Sequence, residues 1–324
     1  GQVWYNETDN VLKFQFANVT SAWSTGGNLN TARANLAAAG TQTAALAFGG
    51  DGPTGATESY DGSSWTEVND LTTARFSLAG IGTYTAALAF GGSPPVTDVT
   101  ETWNGTNWTE VNDLNTAREK LAGAGTSTAG LAFGGTPPVT AVTESWNGTN
   151  WTEVNDLNTA RNILAGAGTS TSALAFGGGT PPKTAVTESW NGTNWTEVND
   201  LNTARNGLAG AGSDNTSALA FAGDEPSDQS TKTELWNGTN WTEQNDLSTT
   251  FRKGAGTGTV TAALAFGGEN PSASAVTQEW NTDVAVGAWS TVNSMNTARK
   301  SLGGGGSATS AVAFGGNPSP NSAL

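Results

Sequence analysis

The chain of 324 residues contains no cysteine and no histidine. The first absence excludes disulfides, thiolate nucleophiles and cysteine-based metal sites. The second removes the commonest general base and metal ligand together. Basic residues are scarce, 13 against 28 acidic ones, and the net charge of -15 argues against nucleic acid, whose phosphates need a basic surface. No apolar run approaches the ~20 residues of a membrane span, and nothing at the start has the make-up of a signal peptide. The first residue, Gly1, reads as the start of a processed product or of a segment cut from something longer.

What the chain has instead is glycine, tryptophan and repetition: 43 Gly, and 13 Trp against 3 Tyr. A Phe-Gly-Gly mark (once Phe-Ala-Gly) falls at Phe48, Phe90, Phe133, Phe176, Phe221, Phe266 and Phe314, at intervals of 42, 43, 43, 45, 45 and 48 residues. Periods of this size belong to solenoids, propellers and arrays. Helical repeats would need apolar stripes at a spacing of 3.6, which are absent, and a parallel β-helix would need a much shorter period.

One unit shows the pattern. After Arg118 the small residues 121–126 suit an innermost strand. Residues 129–133 place Leu131 and Phe133 on one face and Gly130 and Ala132 on the other, as a sheet sandwiched between neighbours requires. Gly134 and Gly135 end that strand, a Pro-rich loop follows, and 142–146 form a third strand. Asn147-Gly148 is a strong hairpin signal and leads into the fourth, 151–154, before 155–161 cross to the next unit. Four short antiparallel strands per period read as one propeller blade.

The order of marks (Arg, small strand, apolar strand ending Gly-Gly, aromatic on the third strand, Trp on the fourth) resembles the kelch repeat over residues 20–316. Trp103, Trp146, Trp190 and Trp236 stand where kelch units usually carry the Tyr kept at Tyr60, and the units are a few residues short. The wording Trp-Asn-Gly-Thr-Asn-Trp-Thr-Glu-Val-Asn-Asp-Leu-Asn-Thr-Ala-Arg, with the opening Gly1-Gln-Val-Trp-Tyr-Asn, resembles repeat-bearing virion proteins of marine tailed phages, cyanophages especially. The first resemblance implies a kelch-like β-propeller. The second implies a virion protein whose partners are other virion proteins or a host-surface receptor or glycan.

Arg33, Arg75, Arg118, Arg161, Arg205, Arg252 and Arg299 are assigned to one repeated slot, so Arg and Phe-Gly marks together predict seven blades. The last unit stops after its second strand. Gln2-Val3-Trp4 matches Gln278-Glu279-Trp280, and Ala22-Trp23-Ser24-Thr25 matches Ala288-Trp289-Ser290-Thr291. The expectation is therefore one all-β propeller domain over 1–324, with blades one to six within 33–293. Blade seven is built from 300–316 plus 2–25, and 317–324 form a tail. Such closure removes open sheet edges. The longer connections between Trp4 and Trp23 and between Trp280 and Trp289 predict a raised patch on adjacent blades. Lys13, Phe14 and Phe16 there suit attachment to a particle, or equally an extra strand over the seam.

Candidate sites divide into ties and contacts. The Arg row could clamp a carboxylate, as arginines do in sialidases, but seven-fold repetition favours structural ties to Glu58, Glu101, Glu144, Glu188 and Glu234. The Trp pairs Trp103/Trp108, Trp146/Trp151, Trp190/Trp195 and Trp236/Trp241 could stack sugars; at a fixed blade position they read as inter-blade core. Residues 59–65 faintly resemble the sialidase Asp-box, and the Asn-Gly-Thr sequons read as turns. No loop has calcium-site spacing, and neither metal nor cofactor is expected. Units differ mainly in the loop after Gly-Gly and just after each Arg, two segments that emerge on one face of an up-and-down blade. That face is the expected ligand surface, with Asn35, Phe76, Glu119, Lys120, Asn162, Asn206, Lys253 and Lys300 as its contacts. No constellation supports catalysis, so the expected function is non-catalytic attachment, from a phage tail fibre or similar appendage, to a host-surface glycan or protein. A secreted or surface bacterial lectin or adhesin is the alternative; a carboxylate-based glycan hydrolase or lyase ranks below both.

Overall fold

The computed structural model describes residues 3–6, 11–179, 182–226, 228–291, 299–307 and 310–318. By internal contacts the chain forms two compact units, Ala22–Asn281 on one hand and Gly1–Ser21 with Thr282–Leu324 on the other.

In the larger unit each repeat folds as its pattern dictates. Ala122–Thr126, Ala129–Phe133, Thr143–Trp146 and Trp151–Val154 form one antiparallel sheet, with Leu131 opposite Ala124 on one side and Ser145 on the other. Similar four-stranded sheets start at Ala37–Thr41, Ala79–Thr83, Ala165–Thr169 and Ala209–Asp214. A sixth sheet contains Ala255–Gly258, Ala262–Phe266 and Thr277–Thr291, and its next strand is Val11–Thr25.

The core lies between sheets, because each is large on one face and small on the other. Leu46 and Phe48 of the first blade pack on Ala87, Ala89, Trp103 and Trp108 of the second. Glycine makes the small face small enough: a Cβ at Gly166 would lie 2.6 Å from Cζ of Phe133 in the preceding blade. Each second-strand Phe meets an outer-strand Trp of the next blade at 4.7–5.1 Å between ring centroids. That Trp also donates its Nε1–H to a threonine of the preceding blade: Trp108 to Thr57, Trp151 to Thr100, Trp195 to Thr143, Trp241 to Thr187, Trp23 to Thr233 and Trp65 to Thr277, at 2.9–3.1 Å.

These six bonds close a circle, and the blade count is six, not seven. The apolar face of the sixth blade (Leu264, Phe266) packs directly on Ala45, Ala47, Tyr60 and Trp65 of the first. The junction has its own polar fittings. Gln42 donates to Trp280 O at 2.6 Å, Thr257 Oγ1 donates to Gly40 O, and Tyr60 donates to Glu279 Oε1. The closing outer strand is N-terminal, as expected, but it completes blade six: Trp23 tilts against Trp280 at 5.5 Å, and Gly26 donates to Thr277 O. Trp289 is not an outer-strand residue of that blade, since it belongs to the same strand as Trp280, Thr277–Thr291.

Residues 300–316 do not join 2–25 in a seventh blade. Arg299–Ser307 and Ser310–Pro318 pair only with each other among the described residues. Counting marks counts first-and-second-strand pairs, whereas closure depends on which small face receives Leu264 and Phe266. In the smaller unit Val3–Asn6 pairs antiparallel with the start of Val11–Thr25, setting Lys13 opposite Trp4 and Phe14 opposite Val3. Lys13, Phe14 and Phe16, expected in a longer connection forming either an attachment patch or an extra strand, lie in a strand; their side chains, and most of the 317–324 tail, lie outside the described residues.

Candidate functional site

The Arg slot is an internal tie in five blades. Arg33, Arg75, Arg118, Arg161 and Arg205 are buried and pair with Glu58, Glu101, Glu144, Glu188 and Glu234 at 2.6–2.9 Å. Arg161 shows the wiring. Its Nη1 donates to Gly177 O and Val186 O, and its Nη2 donates to Glu188. The carboxylate also accepts from the Asn158 N–H and amide and from the Thr159 N–H, all on the incoming crossover. Burial pulls each guanidinium below its ordinary value, and the paired glutamate opposes that pull. The tie therefore fastens crossover, second strand and third strand together.

Arg252 and Arg299 are not in this slot. Phe251 fills it in the sixth blade: its carbonyl accepts from Gly223 N–H, as Arg205 O does from Gly178 N–H. Gln278 replaces the glutamate and accepts from Ser248, and Gly254 stands where other blades have Leu, because a Cβ there would lie 2.5 Å from the Phe251 ring. Both charges of the pair vanish together, the arrangement that avoids leaving one buried alone. Arg252 is instead a surface residue, bonded to Glu269 and paired with Asp224. Arg299 begins the strand Arg299–Ser307 in the smaller unit.

The Trp pairs are core, as their repetition implied. Trp103, Trp108, Trp146, Trp151, Trp190, Trp195, Trp236 and Trp241 are all buried. The Asn-Gly turns are structural too: Asn147 Oδ1 accepts from the N–H groups of Thr149 and Asn150, and Asn112 reaches from the previous blade to Thr149 O and Asn150.

The segments that differ between blades do come together on one face. Short antiparallel bridges join the residue after each Arg to the loop after Gly-Gly: Phe76 to Ser93, Glu119 to Thr136, Asn162 to Gly179, Asn206 to Asp224 and, in the sixth blade, Arg252 to Glu269. So Phe76, Glu119, Asn162 and Asn206 are half-buried bridge residues at the base of the loops. One position further on, Asn35, Ser77, Lys120, Ile163, Gly207 and Lys253 form the axial rim. All six adopt left-handed backbone, φ 52–61°. Each N–H bonds the carbonyl of the rim residue before it, and Asn35 bonds Lys253, at 2.7–3.0 Å, so the circle is complete. Inside it lies a cavity of about 120 Å³ whose wall includes Leu36, Leu78, Leu121, Leu164 and Leu208. Ser77, Ile163 and Gly207 belong to the variable segments after each Arg but were not among the expected contacts; of the three, Gly207 alone signalled a left-handed position, and Ile163 concealed it, since β-branched residues are rarely left-handed. Lys300 lies in the smaller unit, opposite Asn317.

The surface cations gather on one face, each paired there with a carboxylate. Apart from the five buried arginines, the cations of the larger unit are Lys120, Lys183, Lys232, Arg252 and Lys253, and all five lie on the loop face with side chains 23–36% exposed. The outer strands, by contrast, expose Glu67, Glu110, Glu153, Glu197 and Glu243, which also discourages edge pairing. Among the described residues no three carboxylates converge as a metal ion would require, and no helix is long and apolar enough to cross a membrane. No protein-family model matches the chain, and no curated protein is significantly similar to it.

Proposed function

We propose that the propeller is a non-catalytic binding scaffold whose loop face is the contact surface. The observation that carries this reading is the gathering of every surface cation of the larger unit, together with the axial cavity, on the one face where the blades differ. The copying of the opposite face has a structural cause of its own, the blade-to-blade bonds of the Asn-Gly turns, so copying alone would not identify a contact surface. Loops on a rigid frame supply varied side chains at fixed positions.

The repeat wording that resembles marine-phage virion proteins suggests the setting: an extracellular particle, with the propeller on a tail fibre or similar appendage engaging a host-surface glycan or protein. A surface lectin or adhesin of a bacterium would use the same face in the same way. Polar, partly exposed ion pairs at that face suit reversible contact with a polar surface, since pairs near the surface contribute little to stability and rearrange readily. The test is binding of the full chain to candidate host cells and to a glycan array. Replacing Lys183, Arg252 and Lys253 by Gln is expected to abolish retention, while replacing Glu110 and Glu153 on the outer strands leaves it unchanged. Equal retention by both sets of variants refutes the assignment of the face.

A further inference from the structure

The axial cavity has a chemistry of its own. Because the six rim residues satisfy one another's N–H and C=O groups in the closed circle, their backbone offers a ligand nothing, and recognition falls to side chains. Read round the circle, Lys253, Asn35, Ser77 and Lys120 make a polar arc of four, and Ile163 and Gly207 close it with two non-polar positions. Lys120 and Lys253 stand three places apart in a ring of six, on opposite sides of the opening. They are the charged residues that line the cavity; their carboxylate partners Glu119 and Glu269 do not line it. An ammonium has three donors, so each lysine keeps donors for a ligand while paired. The Asn35 amide is engaged with Asp51 at 2.8 and 2.9 Å. Ser77 is 6% exposed, and its Oγ has no hydrogen-bond partner although it borders the cavity. A buried hydroxyl without a partner is unfavourable, and an acceptor in the cavity would relieve it.

We infer that this cavity is a subsite for a carboxylate carried on a short apolar stem. The carboxylate accepts from Lys120, Lys253 and Ser77, and the stem lies on the leucine wall and Ile163. The volume of about 120 Å³ corresponds to about four waters at ~30 Å³ each, enough for a group of roughly four to seven non-hydrogen atoms. The same chemistry is offered by a free short-chain monocarboxylate and by the acidic substituent of a larger glycan. This inference rests on the loop face being the binding face and narrows what its centre accepts.

The experiment is ligand-observed NMR on the full chain with butyrate, glucuronate and, as neutral control, glucose. Saturable binding of butyrate or glucuronate is expected at about millimolar Kd, with glucose silent. Butyrate alone binding identifies a free monocarboxylate; glucuronate binding, with butyrate competing, identifies an acidic glycan. The double variant Lys120→Gln with Lys253→Gln is expected to weaken binding by about tenfold or more and Ser77→Ala severalfold, with no melting temperature below that of the native chain and that of Ser77→Ala at or above it. Equal affinity in the double variant, equal binding of glucose, or no saturation by either acid up to about 100 mM overturns the inference. The cell-binding assay separates this failure from failure of the broader reading. If the double variant keeps cell binding while Lys183→Gln with Arg252→Gln loses it, the face is right and the subsite wrong.

Discussion

The sixth blade indicates how the buried ion pairs should respond to mutation. Arg161→Met leaves Glu188, fully buried, with three neutral donors and no cation. Removing one partner of a buried pair costs about 3–5 kcal/mol, which in a unit of this size lowers Tm by roughly 6–20 °C. Glu188→Gln should cost a similar amount, because the guanidinium, already pulled down by burial, loses the anion that opposes the pull. The double variant imitates the uncharged Phe251/Gln278 solution. It should lose much less than the sum, its residual cost of about 1–3 kcal/mol coming from Gly177 O left without a donor, while Val186 O keeps the N–H of Gly177. Urea unfolding of the four proteins gives the coupling energy, expected at about 2 kcal/mol or more in this contacting pair. Additive losses would show that the pair is a set of hydrogen bonds whose charges are incidental.

Other perturbations probe the ring. Trp195→Phe and Trp23→Phe each remove one indole bond to a threonine, and each is expected to cost about 0.5–1.5 kcal/mol by urea unfolding; a far larger loss for Trp23 would mean that its junction differs from the other five. Gly166→Ala drives a Cβ to 2.6 Å from Phe133 and should cost about 1–3 kcal/mol by overpacking, a loss that Phe133→Leu in the same chain partly restores. Tyr60 is buried, and burial followed by its bond to Glu279 raises its pKa above the ordinary 10. Because the folded value is the higher one, its contribution is complete below pH 10 and is lost as pH rises through the folded value. Melting temperatures measured between pH 9 and 11.5 should therefore fall more steeply for the native chain than for Tyr60→Phe; parallel curves would contradict the assignment.

The blade itself was legible from sequence because its causes are local. Alternation of Leu131 and Phe133 with Gly130 and Ala132 reports a sheet with unlike faces, and Asn147-Gly148 reports its hairpin. The repeated Trp were readable as core because a side chain recurring at a fixed blade position serves the frame. The blade number was not legible, because sealing is a long-range choice between near-identical partners. Trp23 and Trp289 have almost the same surroundings in sequence, and only the packing of Phe266 on Trp65 decides between them. A trace was present nonetheless. The buried arginines precede their Phe by 15 residues, or 16 for Arg205 and Phe221, and Arg252 precedes Phe266 by only 14; Phe251, at 15, is the occupant of the slot in that blade. That the variable segments share a face followed from strand order. Which residues reach the axis did not, since it depends on a left-handed residue that Lys120 and Ile163 adopt without any composition signal.

The circle of indole-to-threonine bonds bears on how such a molecule comes apart. A linear stack of repeats sheds its outermost members first, since these have one neighbour instead of two. Here the first and last blades are neighbours, so none is outermost, and fraying must begin by breaking a junction that is flanked on both sides. Amide exchange in the innermost strands should accordingly be slow to a similar degree in all six sectors, with no gradient running from the beginning of the chain to its end.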